Sequence, residues 1–137
     1  MEALETAISR LALLHSHDAL RLLRNSISIP TPHFVLRTSD CYSHLALIRY
    51  DKVLREGLIC ILNVDLTNDQ WTQTILPVKL EGLGFRSAVA LTPSALMASA
   101  ADTRTLQNTI LPLAYRDQPD EAVDLSIKVW LCLSVAD

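Results

Sequence analysis

The side chains able to hold a metal gather in the first third of the chain: His15, His17, His33, Cys41 and His44. Cys41 and His44 have the spacing of half a zinc site, but no second pair follows at a finger-like distance. His15 and His17 fall where one helix should give way to another, and an ordinary polar surface role suits them better. A thiol nucleophile could come from Cys41, Cys60 or Cys132. Cys60 and Cys132 lie in apolar helical runs, where cysteine behaves as a small buried hydrophobe. No Gly-x-Ser-x-Gly elbow is present. Two-metal nucleotidyl transfer needs carboxylates clustered around ions about 4 Å apart. The nearest cluster, Asp120, Glu121 and Asp124, follows Pro119 and is better explained as stabilising a helix N-terminus. There is no adjacent Asp-Asp pair and no Walker loop. No metal or other cofactor is expected. Gly82 and Gly84, flanked by Lys79 and Arg86, could form a phosphate nest if their amides faced outward. The favoured alternative is a turn whose Leu83 and Phe85 pin two helical layers together.

The elements that must position these groups read as helices. Leu4, Ala7/Ile8, Leu11 and Leu14 make one apolar stripe over residues 3 to 15. Ser16 or Asp18 can cap a second helix running to about Asn25, with Leu20, Leu23 and Ile27 inward, before Pro30 and Pro32 end it. A short helix restarts at Pro32 and carries Phe34, Val35 and Leu36 to Thr38. The strongest helix covers 43 to 62, with Leu47/Ile48, Asp51, Leu54/Arg55, Leu58 and Ile61/Leu62 on its core face. Gly57 within it costs about 1 kcal/mol relative to Ala and marks a close helix contact. Thr67 and Gln70 have capping-box spacing and open a helix carrying Trp71, expected to be largely buried, and Ile75. LPVKLEGLGF, 76 to 85, is the main irregular segment. Thr92-Pro93 predicts an N-cap and first-turn proline, hence a helix over 93 to 101 and another over 103 to 111. Pro119 opens a last helix through Val129, Trp130 and Leu133. The expected fold is all-α, a compact multi-helix, bundle-like domain divided as 1–62 and 63–137.

Composition agrees. Half of the 137 residues are hydrophobic, with Leu and Ala dominant, and only three glycines occur. That favours helix and excludes a disordered chain. No apolar run reaches membrane-spanning length, and the acids ahead of the first apolar stretch are wrong for a signal peptide. Three widely spaced cysteines give no disulfide framework, so an intracellular setting, cytoplasm or nucleus, is expected. The net charge is −3, yet residues 10 to 55 hold seven Arg/Lys against three Asp, a local net of +4. A strong autonomous nucleic-acid binder would be basic overall.

The chain from Val35 to Ala101 resembles the region after the palm in LINE-type (non-LTR) retrotransposon reverse transcriptases. The pieces that carry the likeness are Leu36-Arg37-Thr38 followed by Cys41, and Asn63-Val-Asp65-Leu with Trp71-Thr-Gln73 downstream. The most specific is Leu76-Pro77-Val78 running into Gly82-Leu-Gly84-Phe85-Arg86-Ser87-Ala88, then Pro93-Ser-Ala95 and Ala98-Ser-Ala100. Residues 3 to 30 look like the preceding helices, so the likeness covers about residues 1 to 130. It implies a thumb-like helical region over 1–62, which grips a primer–template duplex, and a post-thumb connection region over 63–137, which joins it to later parts. The family's catalytic aspartates lie upstream in the palm and match no position here. The resemblance therefore implies a fragment that cannot polymerise by itself.

This chain departs from the family pattern in two places. Glu81 stands where the family usually has the first of two glycines, so a positive φ there would strain the loop. Family proteins also continue past the last helix, which implies a truncated element copy or a small gene derived from one. The expected partner is RNA–DNA or DNA duplex, held weakly and non-specifically through Arg21, Arg24 and Arg37, with Lys79 and Arg86. No membrane or small-molecule substrate is expected. The alternative is a helical protein-interaction module, free of any nucleic-acid role, that self-associates through apolar faces.

Overall fold

A computed structural model describes residues 2–28, 30–116 and 118–134. Its helices are α1 (Glu2–Leu11), α2 (Ser16–Leu22), α3 (His33–Thr38), α4 (Leu45–Leu62), α5 (Asn68–Ile75), α6 (Ala88–Ile110) and α7 (Glu121–Ser134). α2 runs on into a π turn, Leu23–Ile27, and short 3-10 turns occupy Val78–Leu80 and Leu113–Tyr115. Among the described residues there is no strand, and the all-α expectation holds. The chain divides into two compact units that interleave along the sequence: unit 1 is 1–32 with 43–90, and unit 2 is 33–42 with 91–137. This division differs from a cut at 62/63, because α4 and α5 fall in the same unit.

In unit 1, the leucine-rich stripes of α1 and α4 bury Leu4, Ile8 and Leu11 with Leu47, Tyr50, Leu54, Leu58 and Ile61. Gly57 lets α1 come close to α4: a Cβ there would stand 2.7 Å from Ile8 Cδ1. Ala19 of α2 and Leu23 of the π turn are fully buried in the same unit. The Tyr50 hydroxyl lies 2.8 Å from the Ile27 carbonyl and 2.6 Å from that of Ser28, and so donates to the end of the π turn, where helix carbonyls lack partners. Burial, helped by the neighbouring Asp51 charge and opposed by a hydrogen bond from Thr31, pushes the Tyr50 phenol up to about 12.

The Thr67–Gln70 capping box forms as expected. The Thr67 hydroxyl accepts from the Gln70 amide, and the Gln70 side chain accepts from the Thr67 amide. Trp71 is half-buried rather than largely buried, with the Arg55 guanidinium 5.9 Å from its ring centre. That arginine also donates to the Leu66 carbonyl and to Asn68, so it spends its charge fastening the α4–α5 corner.

The expected helix start at Thr92-Pro93 is wrong. One helix, α6, runs from Ala88 to Ile110, and Pro93 lies inside it. A cap supplied from α4 starts it earlier. Asp51 accepts from the Ser87 hydroxyl, from the Ala88 amide at 2.7 Å and from the Val89 amide at 3.3 Å. Ser87 Oγ in turn accepts from the Ala90 amide. With its opening amides so engaged, the helix tolerates a buried proline in its second turn, losing the bond that residue 93 would have made to the Val89 carbonyl.

In unit 2, Leu36 of α3 and Leu96 of α6 are buried, and α7 is capped by the preceding Asp120, whose carboxylate accepts from the Ala122 and Val123 amides. The acids after Pro119 thus do serve a helix N-terminus. Cys60 and Cys132 are exposed, against the expectation for cysteines in apolar runs: both lie on the outer faces of their helices. Cys41 is half-buried, and burial together with the Asp40 charge raises its pKa. No helix of the described residues is long and apolar enough to cross a membrane.

Candidate nucleic-acid interface

Four of the five cationic residues singled out from the sequence fall in unit 1: Arg21 on α2, Arg24 on the π turn, and Lys79 and Arg86 on the loop between α5 and α6. Arg24 ties the two segments together by donating to the Leu83 carbonyl at 3.2 Å. It also donates through Nε to Asn25 Oδ1 at 3.1 Å. Arg21 and Arg24 therefore line one cavity with Leu20, Asn25, Leu83 and Phe85. Lys79 and Arg86 are exposed on the same loop. Arg37 belongs to unit 2, where its guanidinium is 3.3 Å from the Asp102 carboxylate.

The loop itself is not a phosphate nest. The amides of Leu80 and Gly82 donate to the Pro77 carbonyl, that of Glu81 to Val78, and that of Gly84 to Leu76. Amides spent on carbonyls of their own loop are not available to an anion. Phe85 is buried, as the turn reading expected, whereas Leu83 is 45% exposed and pins little. Gly82 is obligatory, because a Cβ would sit 2.1 Å from the Leu76 carbonyl oxygen. Glu81 has φ 62° and Gly84 φ 72°. The glutamate thus occupies a left-handed position that glycine adopts at no steric cost.

The local positive charge is smaller in effect than its count. Of the seven basic residues between 10 and 55, five have protein partners: Arg24, Arg37, Arg55, Arg49 (4.0 Å from Glu5) and Lys52 (3.8 Å from Glu56). Arg10 and Arg21 have no side-chain hydrogen bond or ion pair among the described residues, so the face has few charges free to meet a phosphate. Unit 1 as a whole is neutral, with eight Lys/Arg and eight Asp/Glu, while unit 2 has four and seven and carries the net negative charge. Sequence reasoning missed Asn25 and the Leu83 carbonyl as the fixings of Arg24. The Leu83 contact has no sequence signal, since it spans 59 positions, whereas Asn25 is the next residue along the chain and was overlooked.

Among the described residues, no three His, Cys, Asp or Glu side chains are grouped so as to hold a metal ion. His15 and His17 stack on each other, with ring centres 5.7 Å apart. No family model matches this chain, and no curated protein or solved structure matches it either.

Proposed function

We propose that this chain acts by holding and performs no chemistry of its own: it is a helical module akin to the post-palm region of LINE-type reverse transcriptases. Arg21, Arg24, Lys79 and Arg86 of unit 1 contact the backbone of an RNA–DNA or DNA duplex without reading sequence. The observation that carries this reading is the Arg24–Leu83 hydrogen bond, which joins the arginine-bearing turn to the loop bearing Lys79 and Arg86. Contact by two or three such side chains releases few counterions. Binding is therefore micromolar or weaker, with a log–log salt slope of about −2. Over a fourfold rise in salt that slope removes affinity by about 15-fold.

The test is a salt titration of a labelled RNA–DNA duplex by fluorescence anisotropy, comparing the wild type with Arg21→Ala, Lys79→Ala/Arg86→Ala and Arg37→Ala. The unit 1 variants should bind more weakly with a shallower slope. Arg37→Ala should match the wild type, because Asp102 already occupies that charge. Absence of binding at low salt, or curves that superimpose for all variants, would defeat the proposal.

A second reading, self-association as a protein-interaction module, is favoured by an apolar groove of about 620 Å³ in unit 2. Leu96, Leu106, Ile110, Leu111 and Val123 are among its lining residues. Leu106 and Ile110 are 58% and 69% exposed, unusual for neighbouring large aliphatic side chains on one helix. Sedimentation equilibrium of the wild type against Ile110→Lys decides it: a dimer dispersed by the lysine supports association, and a monomer at all concentrations removes this reading.

A further inference from the structure

The cavity between α2, the π turn and the loop before α6 has properties that phosphate-backbone contact does not require. Its volume is about 410 Å³, within the range of small-molecule sites. Leu20, Leu83 and Phe85 form its apolar lining, and Arg21, Arg24 and Asn25 its polar lining; no acid takes part.

The side-chain acceptor on the polar side, Asn25 Oδ1, is already engaged by Arg24, as is the Leu83 carbonyl. Arg24 Nε can only donate, so Asn25 presents its oxygen to it. That leaves the Asn25 amide NH2, the Arg21 guanidinium and the second terminal nitrogen of Arg24 as the groups without a protein acceptor among the described residues. A lining of cations and free donors selects a ligand head that is an anion and an acceptor alone, and the open guanidinium fork of Arg21, with the second terminal nitrogen of Arg24 beside it, suits a phosphate or carboxylate.

The site is also fixed in place. Arg24 is held at both ends of its guanidinium, by Leu83 and by Asn25. The π turn that bears Arg24 and Asn25 closes through a bond from the Ser28 amide to the Leu23 carbonyl, and Tyr50 donates to its last carbonyls. π turns are rare within α-helices and frequently occur at functional sites.

We propose that this cavity binds a small organic anion: an apolar body against Leu20, Leu83 and Phe85, and a phosphate or carboxylate head on Arg21 and Arg24. The proposal shares Arg21 and Arg24 with the duplex reading but does not rest on it, and it stands if duplex binding fails. It also goes against the expectation, drawn from sequence, that no small molecule is recognised.

Phenyl phosphate and benzoate are the probes, with inorganic phosphate and phenol as the two halves of the ligand. Binding is followed by amide and Arg Nε–H shifts in NMR titrations of the full chain. At least one probe should saturate below about 10 mM, and whichever binds more tightly identifies the head. Both halves should bind at least about tenfold more weakly, since each forgoes either the charge-assisted bonds or the apolar burial. Arg21→Ala, at an exposed position with no side-chain partner to lose, should weaken the better probe by about tenfold or more. Arg104→Ala in unit 2 should leave it unchanged. Failure of both probes to saturate overturns the site, as does equal binding by Arg21→Ala. Inorganic phosphate binding as tightly as phenyl phosphate removes the apolar half and with it the proposal.

Discussion

Asp51 is the residue whose loss should be felt most widely in unit 1. It lies on α4, yet its carboxylate receives the Ser87 hydroxyl and the first two amides of α6. Asp51→Ala removes all three acceptor contacts and the negative charge at a 23-residue helix's positive end. Loss of a helix cap costs about 1 kcal/mol. Loss of the charge–dipole attraction at a half-buried site adds up to about 1 kcal/mol. The loss of a charge-assisted bond to Ser87 adds about 1 kcal/mol more. The expected destabilisation is about 3 kcal/mol, and Asp51→Asn, which keeps one acceptor oxygen and the shape, should lose about half of that. Trp71 reports on unit 1 and Trp130 on unit 2. Urea unfolding followed by fluorescence in a Trp130→Phe background therefore isolates the affected unit. With a urea slope of about 2 kcal/mol per molar, the Asp51→Ala midpoint should fall by about 1.5 M. A fall equivalent to less than about 0.5 kcal/mol, or Asp51→Asn as damaging as Asp51→Ala, would refute the tertiary cap.

Two further changes test backbone and titration. Glu81→Gly relieves a left-handed residue, a gain of about 1–2 kcal/mol offset by the glycine's greater freedom when unfolded. The net stabilisation should be about 0.5 kcal/mol by the same urea assay, whereas Gly82→Ala should destabilise, since its Cβ meets the Leu76 carbonyl; a Glu81→Gly variant less stable than the wild type would contradict the strain. For Tyr50 the folded phenol keeps its proton up to about 12, against an ordinary value near 10. The folded state thus binds the proton more tightly, and this contribution is fully present below about pH 10 and lost as pH rises from there towards 12. Tyr50→Phe should weaken unit 1 at neutral pH by about 1–2 kcal/mol while flattening that alkaline decline; an unchanged decline would assign it to other groups.

How far the sequence reached depended on whether the deciding partner was close along the chain. The Thr67–Gln70 box, the Gly57 contact and the stops at Pro30 and Pro77 are local signals, and each element they predict is present. Thr92-Pro93 is an equally good local signal and was misleading, because Asp51, far away in sequence, caps Ser87–Ala90 instead. Asp51 itself reads as one polar member of a core face, with nothing to mark it as a cap for another helix. Cys60 is the exposed member of an apolar run whose Leu58 and Ile61 are buried, and apolar composition alone does not say which face of a helix a residue falls on. Of the candidate interface, the residue types were legible and their grouping was not. Arg24 meets Leu83 only through tertiary folding, and Arg37 parts company with the other four by pairing with Asp102.

The interleaving of the two units has a consequence for synthesis. Residues 33–42 emerge from the ribosome before 43–90, yet the rest of their unit begins only at residue 91. At about 10 residues per second the segment waits on the order of 5 seconds for its partners. Throughout that interval Leu36, fully buried in the finished chain, stands beside Phe34 and Val35 without the residues from 91 onward that belong to its unit. The entropic toll of holding the intervening loop is mild, because it grows only with the logarithm of loop length. The hazard is kinetic. On a crowded polysome, the nascent arm of one chain can meet the 91–134 region of a neighbour that is further along, and exchange of this ten-residue arm is the natural route to a domain-swapped dimer.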